Sequence, residues 1–373
     1  MSDYLDTLER VIGTTVAPNA TDVDARAAFP KANLVALAEA GILGLVTSAE
    51  VGGGGQGLDA AAAVIEALAG ACGSTAMVVL MHYAANALIE AHGPASTRQA
   101  IGSGRHLSTL AFSEAGSRSH FWAPIGTATA DGDQVRLDAQ KSWVTAAAHA
   151  DSYVWSSRPL AAEGPMSLWL VPSDASGLSQ PGGFDGLGLR GNDSTPVTAV
   201  GVHVGRDALL GGDGEGLNLA LAAALPWFLV LSGAFSLGTM EAVTAETIAH
   251  VSATRLEHLD QTLAEQPLTR AAVAKMRIRT DGIRALLGDT LAALGSGRAD
   301  ATLRVLEIKA AAAEAAVDVT DLAMRLCGGA AFRKELGIER RFRDARAALI
   351  MAPTTDALHD FVGRAITGQP LLG

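Results

Sequence analysis

Cysteine is nearly missing from this chain: Cys72 and Cys327 are the only two, too few for a disulfide framework. Positive charge is short as well, with 28 Lys and Arg against 39 Asp and Glu, a formal charge of -11 and a pI near 5.3. Such a surface repels a phosphate backbone and excludes nucleic acid as a partner. A few local arginines or helix N-termini still suffice to hold an anionic cofactor. The start, Met1-Ser-Asp-Tyr-Leu-Asp, lacks a basic stretch followed by an apolar one, so a reducing, cytoplasmic protein is expected. The nine histidines show neither His-Glu-x-x-His nor paired-Cys spacing, and no serine sits in a Gly-x-Ser-x-Gly elbow. Metal and serine-nucleophile chemistries are therefore not expected. No internal repeat, low-complexity tail or heptad seam is present.

One long apolar run is there. No charged side chain occurs from Leu217 to Met240, and about 20 apolar residues can cross a bilayer. Pro226 interrupts the run, Asn218, Ser232 and Ser236 lie within it, and no Lys/Arg cluster flanks it. The run reads as a core helix of a large helical domain, without membrane insertion.

With 373 residues the chain has room for two or three domains. Residues 1–107 read as helical, with apolar positions at helical spacing in Leu34-Val35-Leu37-Ala38 and in Ala61-Ile65-Leu68-Ala69. Between them Val51-Gly52-Gly53-Gly54-Gly55-Gln56-Gly57 reads as a flexible loop, either a linker or a backbone that approaches a ligand closely. Residues 108–213 change period. Ile125 to Ala130 leads through Asp131-Gly132-Asp133 into Val135 to Ala139, a hairpin, and Ser152 to Trp155, Ser167 to Val171 and Val197 to Val204 supply further strands. Residues 214–373 return to helix, densest from Leu303 to Leu326, where Asp321 and Arg325 lie one turn apart and can pair. The fold class is α+β, mainly α: a helical N-terminal domain, a small β domain and a helical C-terminal domain.

Five ordered segments carry a more specific signal. They are Gly41-Ile-Leu-Gly-Leu with Glu50-Val-Gly-Gly-Gly-Gly; Phe112-Ser113-Glu114-Ala-Gly-Ser-Arg-Ser119-His120; Gln140-Lys141-Ser-Trp143-Val144-Thr145; Gly186-Leu-Gly-Leu-Arg190; and Cys327-Gly328-Gly329 with Glu339-Arg-Arg341-Phe-Arg343-Asp344-Ala-Arg346. In this order they resemble the FAD-dependent acyl-CoA dehydrogenase family, over nearly the whole chain. The resemblance implies a β-barrel-like middle domain, a C-terminal four-helix bundle and FAD lying between the two. A flavin needs hydroxyls and amides for its polar edge and an aromatic wall for its face. Ser113 and Thr145 would serve the edge and Trp143 the face, with Phe112, Val144, Ser119 and Thr354 completing that set. For the pyrophosphate and adenine the family uses Arg-x-x-Phe-Gly and Gln-x-x-Gly-Gly segments, partly from a neighbouring subunit. Here Arg255 stands without the Phe-Gly, and Arg325 replaces the Gln before Gly328 and Gly329. The resemblance also implies a homo-oligomer, dimer or tetramer.

The family removes a proton alpha to a thioester carbonyl with a Glu carboxylate, and the hydrogen on the β carbon leaves as hydride. In most members the Glu lies in Tyr-Glu-Gly-Thr; here the matching residues are Met351-Ala352-Pro353-Thr354. In others it lies on the first long C-terminal helix, where this chain has Pro226 and Trp227. Neither position holds a base. Asp356, one turn on, is a candidate base or a helix-start residue. His120 is a candidate base or a structural loop histidine, and His359 falls near Asp356 or on the surface. Three readings follow: α,β-dehydrogenation of an acyl thioester with a non-standard base, a flavin monooxygenase of the same fold, and a catalytically inactive FAD-binding relative. Trp122 and Trp227, if they line the pocket, disfavour long acyl chains.

Overall fold

The computed structural model describes residues 3–117 and 120–372. Helices open the described chain: α1 (Asp3–Val11), a π-helical turn (Ile12–Val16), α2 (Ala17–Ala25), α3 (Lys31–Glu39), α4 (Leu58–Ala71), α5 (Gly73–His92) and α6 (Ala95–Gly102). The apolar spacings at residues 34–38 and 61–69 fall in α3 and α4, as expected. The glycine run is not loose. After a short 3-10 turn (Ala49–Val51), the amides of Gly53, Gly54, Gly55 and Gln56 donate to the carbonyls of Ser48, Gly44, Thr47 and Leu45. A Cβ on Gly53 would collide with the Thr47 carbonyl. The glycines thus let the chain approach its own backbone, which corrects the reading of a flexible loop.

Eight strands follow: β1 (Ser108–Ala111), β2 (Thr127–Asp131), β3 (Gln134–Val144), β4 (Ser152–Ser157), β5 (Ser167–Pro172), β6 (Leu178–Ser179), β7 (Thr195–Gly205) and β8 (Leu209–Leu210). They form two four-stranded sheets, β1-β4-β5-β8 and β2-β3-β7-β6. The expected hairpin is β2–β3, closed by the pair Asp131 and Gln134, with Gly132 at φ 62°. Residues alternating inward from both sheets share a core of Val135, Leu137, Tyr153, Trp155, Trp169 and Val197. β1 escaped the sequence reading. It lies parallel to β4 and is buried at all four positions, so it shows no polar alternation.

The chain then returns to helix: α7 (Gly216–Leu219), a π-helical turn (Ala220–Ala224), α8 (Leu225–Ala253), a small hairpin of β9 (Arg255–Leu256) and β10 (Gln261–Thr262), α9 (Pro267–Gly295), α10 (Ala301–Ala331), α11 (Ile338–Ala345), α12 (Ala347–Ile350) and α13 (Thr355–Ile366). The helix from Gly216 to Ala253 is long and apolar enough to cross a membrane by length and composition. In the protein its middle is packed: Leu229, Val230, Leu231, Leu237 and Met240 are inaccessible. A Cβ on Gly238 would strike the Glu66 carbonyl of α4, so these helices touch backbone to backbone. Glu241 of α8 takes a bidentate Arg277 from α9 (2.7 and 2.8 Å).

Two compact units result. The first comprises Met1–Val64, Ser74–Asp185 and Arg190–Phe228; the second comprises Ile65–Gly73, Gly186–Leu189 and Leu229–Gly373.

Candidate functional site

In the first unit, β3 ends in a bulge: the register with β7 shifts between Lys141 and Val144. Trp143 sits on that bulge at φ 58°, a left-handed conformation that costs a non-glycine residue about 1–2 kcal/mol. Its indole is 72% exposed. The flanking residues point inward, Lys141 and Val144 both being buried. Thr145 is buried too, its hydroxyl 3.0 Å from that of Ser194. Ser113 lies alongside, its carbonyl accepting from the Ser142 amide at 2.9 Å. The structure thus brings together Ser113, Trp143, Val144 and Thr145. Phe112 is half-buried beside them and stacks near Phe121, ring centroids 6.5 Å apart. Ser119 lies outside the described residues.

The loop from Glu114 to Gly126 carries His120, Phe121 and Trp122, and a buried ion pair holds it. Glu114 accepts from the amides of Ile125 and Gly126 and from Lys141 Nζ at 2.7 Å. Lys141 also donates to the Ser156 carbonyl and hydroxyl, at 2.7 and 2.8 Å. Burial pushes the Lys141 pKa down to about 8 against the pull of Glu114. His120 is exposed, its Nδ1 2.9 Å from the Ser117 carbonyl. That contact makes Nδ1 the protonated nitrogen of a neutral ring and Nε2 the basic one. Trp122 meets His120 and Phe121 edge-on at 4.9 and 5.2 Å.

In the second unit Thr354 caps α13, its hydroxyl accepting from the Ala357 amide at 3.3 Å. Asp356 is exposed in the first turn of α13. His359 is exposed as well, 3.4 Å from Glu314. On α10, Lys309 is buried, and its Nζ donates to the carbonyls of Ala348 (2.9 Å), Met351 (3.0 Å) and Pro353 (2.8 Å). Burial alone pushes its pKa down to about 7.

The arginines divide. Arg255 is exposed and ion-pairs with Asp260, whereas Arg325 is exposed on α10 just before Gly328. The expected pairing of Asp321 with Arg325 is corrected: Asp321 pairs with Arg346 at 2.6 Å, because Arg346 is fixed over the Phe342 ring and by the Thr320 hydroxyl. Gly328 breaks the helix with φ 54° and ψ -134°. The charged segment before Arg346 is structural: Arg341 forms a bidentate pair with Glu246, and Asp344 accepts the Leu189 amide at 2.6 Å.

Models of the acyl-CoA dehydrogenase N-terminal, middle and C-terminal domains match residues 2–102, 109–202 and 214–367 in order. The chain belongs to the acyl-CoA dehydrogenase family. A mitochondrial short-chain specific acyl-CoA dehydrogenase of Bos taurus is 28% identical over 355 residues, covering 91% of this chain and 83% of the relative. A cyclohex-1-ene-1-carbonyl-CoA dehydrogenase of Geobacter metallireducens is 25% identical, covering 99% and 97%. Butyryl-CoA dehydrogenase from Megasphaera elsdenii shares the fold, with a TM-score of 0.91, 20% identity and coverage of 98% and 99%. The family consists of flavoprotein oxidoreductases acting on CH–CH groups, with FAD as cofactor.

The residues fit that cofactor. An exposed indole in a strained backbone position has no packing purpose within its own sheet, and it is the surface on which a planar aromatic ring stacks. FAD, when bound, supplies a redox centre that accepts hydride. Trp143 would carry the ring's face, with Ser113 and Thr145 at its polar edge. Three features went unseen in the sequence: the Glu114–Lys141 pair, the carbonyl cluster on Lys309, and Asp213. The Asp213 carboxylate accepts from the amides of Leu160, Ala161 and Ala162 (2.8 Å each) and from the Ser167 hydroxyl. Only the first carried a signal, Glu114 and Lys141 each standing in a matched motif.

Proposed function

We propose that this protein dehydrogenates a short or compact acyl thioester at its α,β bond, with a proton acceptor other than residue 352. The observation that carries the reading is Trp143, presented on the β3 bulge with its 72% exposed indole. Keeping a strained aromatic platform serves a redox cofactor in use.

The reaction needs two losses from the substrate, a proton from the α carbon to a protein base and a hydride from the β carbon to the flavin. Ala352 cannot take the proton, nor can Pro226 or Trp227. Asp356 is a carboxylate one turn beyond Ala352, in the first turn of α13. His120 offers Nε2 on an aromatic loop. The half-buried Trp122 and Trp227 favour compact acyl groups. Activity of similar size on long-chain and short-chain thioesters would count against that.

The test is anaerobic flavin absorbance during titration with acyl-CoA thioesters. Bleaching by a short acyl-CoA supports dehydrogenation, and loss of bleaching in Asp356→Asn or in His120→Ala names the base. A positioned base contributes about 10²–10⁴-fold. Ala352→Glu therefore raises the bleaching rate by at least about tenfold if the substrate lies as in the family; an unchanged rate sinks that placement.

The missing carboxylate favours one second reading, a flavin monooxygenase, since oxygen chemistry needs no α-carbon base. No bleaching by any thioester, followed by rapid reoxidation and substrate hydroxylation after chemical reduction, selects it. The protein is further proposed to be a cytoplasmic homo-oligomer, dimer or tetramer. Leu268, Phe332 and Ile350, exposed on the second unit, support that assembly. A monomer with bound FAD in light scattering contradicts it.

A further inference from the structure

Among the described residues Lys309 is the one buried lysine of the second unit, and it is 1% exposed. A buried ammonium is costly unless paired or fully hydrogen-bonded, and its hydrogen bonds among the described residues all go to backbone carbonyls. Its three N–H groups go to three carbonyls, those of Ala348, Met351 and Pro353. That count matches the donor capacity of a lysine ammonium. The first carbonyl belongs to α12.

The other two carbonyls flank Ala352. A peptide unit is planar, and in the trans form its C=O and N–H point in opposite directions. With the carbonyls of Met351 and Pro353 turned toward Lys309, the amides of Ala352 and Thr354 are aimed away from it. Among the described residues neither amide donates to a backbone carbonyl outside the helices. Thr354 then starts α13 as its cap, so the short segment is fastened at both ends.

We infer that Lys309 is a positioning residue for the reaction: its ammonium fixes the backbone of residues 348–353 in the form that meets the acyl thioester. The inference rests on the thioester reading above. It assigns to a side chain on α10 the orientation of the peptide groups around Ala352.

The test uses the full-length FAD-loaded protein with Lys309→Met, which removes the donors, and Lys309→Arg, which keeps them. Butyryl-CoA is the probe. In Lys309→Met, amide exchange in residues 347–357 should quicken at least tenfold while α9 and the rest of α10 stay protected. The butyryl-CoA concentration that half-bleaches the flavin should rise at least tenfold, with KM changing more than kcat. Lys309→Arg should recover part of both. A Lys309→Met protein that responds to butyryl-CoA within twofold of wild type overturns the proposal, whatever its exchange. If that variant does not fold, wild type decides: slower exchange in 347–357 on adding butyryl-CoA supports the proposal, and unchanged exchange there overturns it. If no acyl-CoA affects wild type, the substrate reading has failed. Lys309 is then judged on the flavin spectrum of Lys309→Met, where a shift supports positioning at the site and an unaltered spectrum overturns it.

Discussion

Each unit fastens a loop with a buried lysine, and the two do it differently. Lys141 in the β sheets works through a partner: it neutralises Glu114, whose carboxylate gathers the amides of Ile125 and Gly126. Lys309 in the helical unit pairs with no carboxylate among the described residues and gathers carbonyls directly. Asp213 is its mirror image, a carboxylate gathering three successive amides. Backbone groups that cannot join a ladder or helix must still be satisfied, and one well-placed charge satisfies several at once. The comparison teaches that a paired charge makes a loop depend on two side chains, whereas a lone charge makes it depend on one.

The largest effect is expected at the pair. Lys141→Met strands Glu114 in the core and should cost about 3–5 kcal/mol, measured by urea unfolding. Adding Glu114→Gln should return part of that loss; a double variant worse than the single would show that the two residues do not act as a unit. Lys309→Met leaves carbonyls without donors, at about 1–3 kcal/mol for a stranded group, and should loosen mainly residues 347–357. Thr354→Ala removes the cap at the far end of that segment and should cost about 1 kcal/mol in thermal unfolding.

The smallest effects are those of pH, and their signs oppose. Asp213 is raised by burial but lowered further by the Ser167 hydroxyl and the three amides, to about 2 against an ordinary 3.8. Its contribution is complete above about 3.8 and is lost as pH falls through about 2. Acid unfolding curves of wild type and Asp213→Asn should therefore separate at pH 5 and converge near pH 2. Lys309 titrates near 7 when folded and near 10.5 when unfolded. Between those values the unfolded chain binds more protons, so rising pH relieves a penalty and overall stability does not fall through this group. The local hold does weaken, because a neutral amine has two donors for three carbonyls. Exchange in 347–357, corrected for intrinsic pH dependence, should rise from pH 6 to 9 in wild type and stay level in Lys309→Met.

Much of this architecture could be read from the residues. The switch from helical to two-residue period near residue 108, the turn at Gly132, and the opening of a helix after Thr354 all rest on local rules that tertiary packing did not override. β1 was hidden because a strand buried at every position offers no alternation. The Asp321–Arg325 pairing failed because a partner distant in sequence, held by a ring and a hydroxyl, outcompetes a neighbour one turn away. Lys309 was invisible for a related reason. In a helix rich in Ala, Glu and Lys, composition does not say which lysine faces inward, and the carbonyls that justify its burial lie about 40 residues downstream. For the site, Trp143 and its neighbours were legible as a motif, while the strain and exposure that give the motif a purpose were not.

The position of Trp143 also has an optical consequence. Trp155 and Trp169 are sealed in the β core, where indole emission is blue, whereas an indole as open as Trp143 emits to the red. A flavin ring against it would quench that red component by energy transfer. The flavin-free protein should therefore report its own loading: the red edge of its fluorescence fades as FAD is added and stays dark at saturation. In Trp143→Phe the red edge should be weaker from the outset, the half-buried Trp122 and Trp227 remaining.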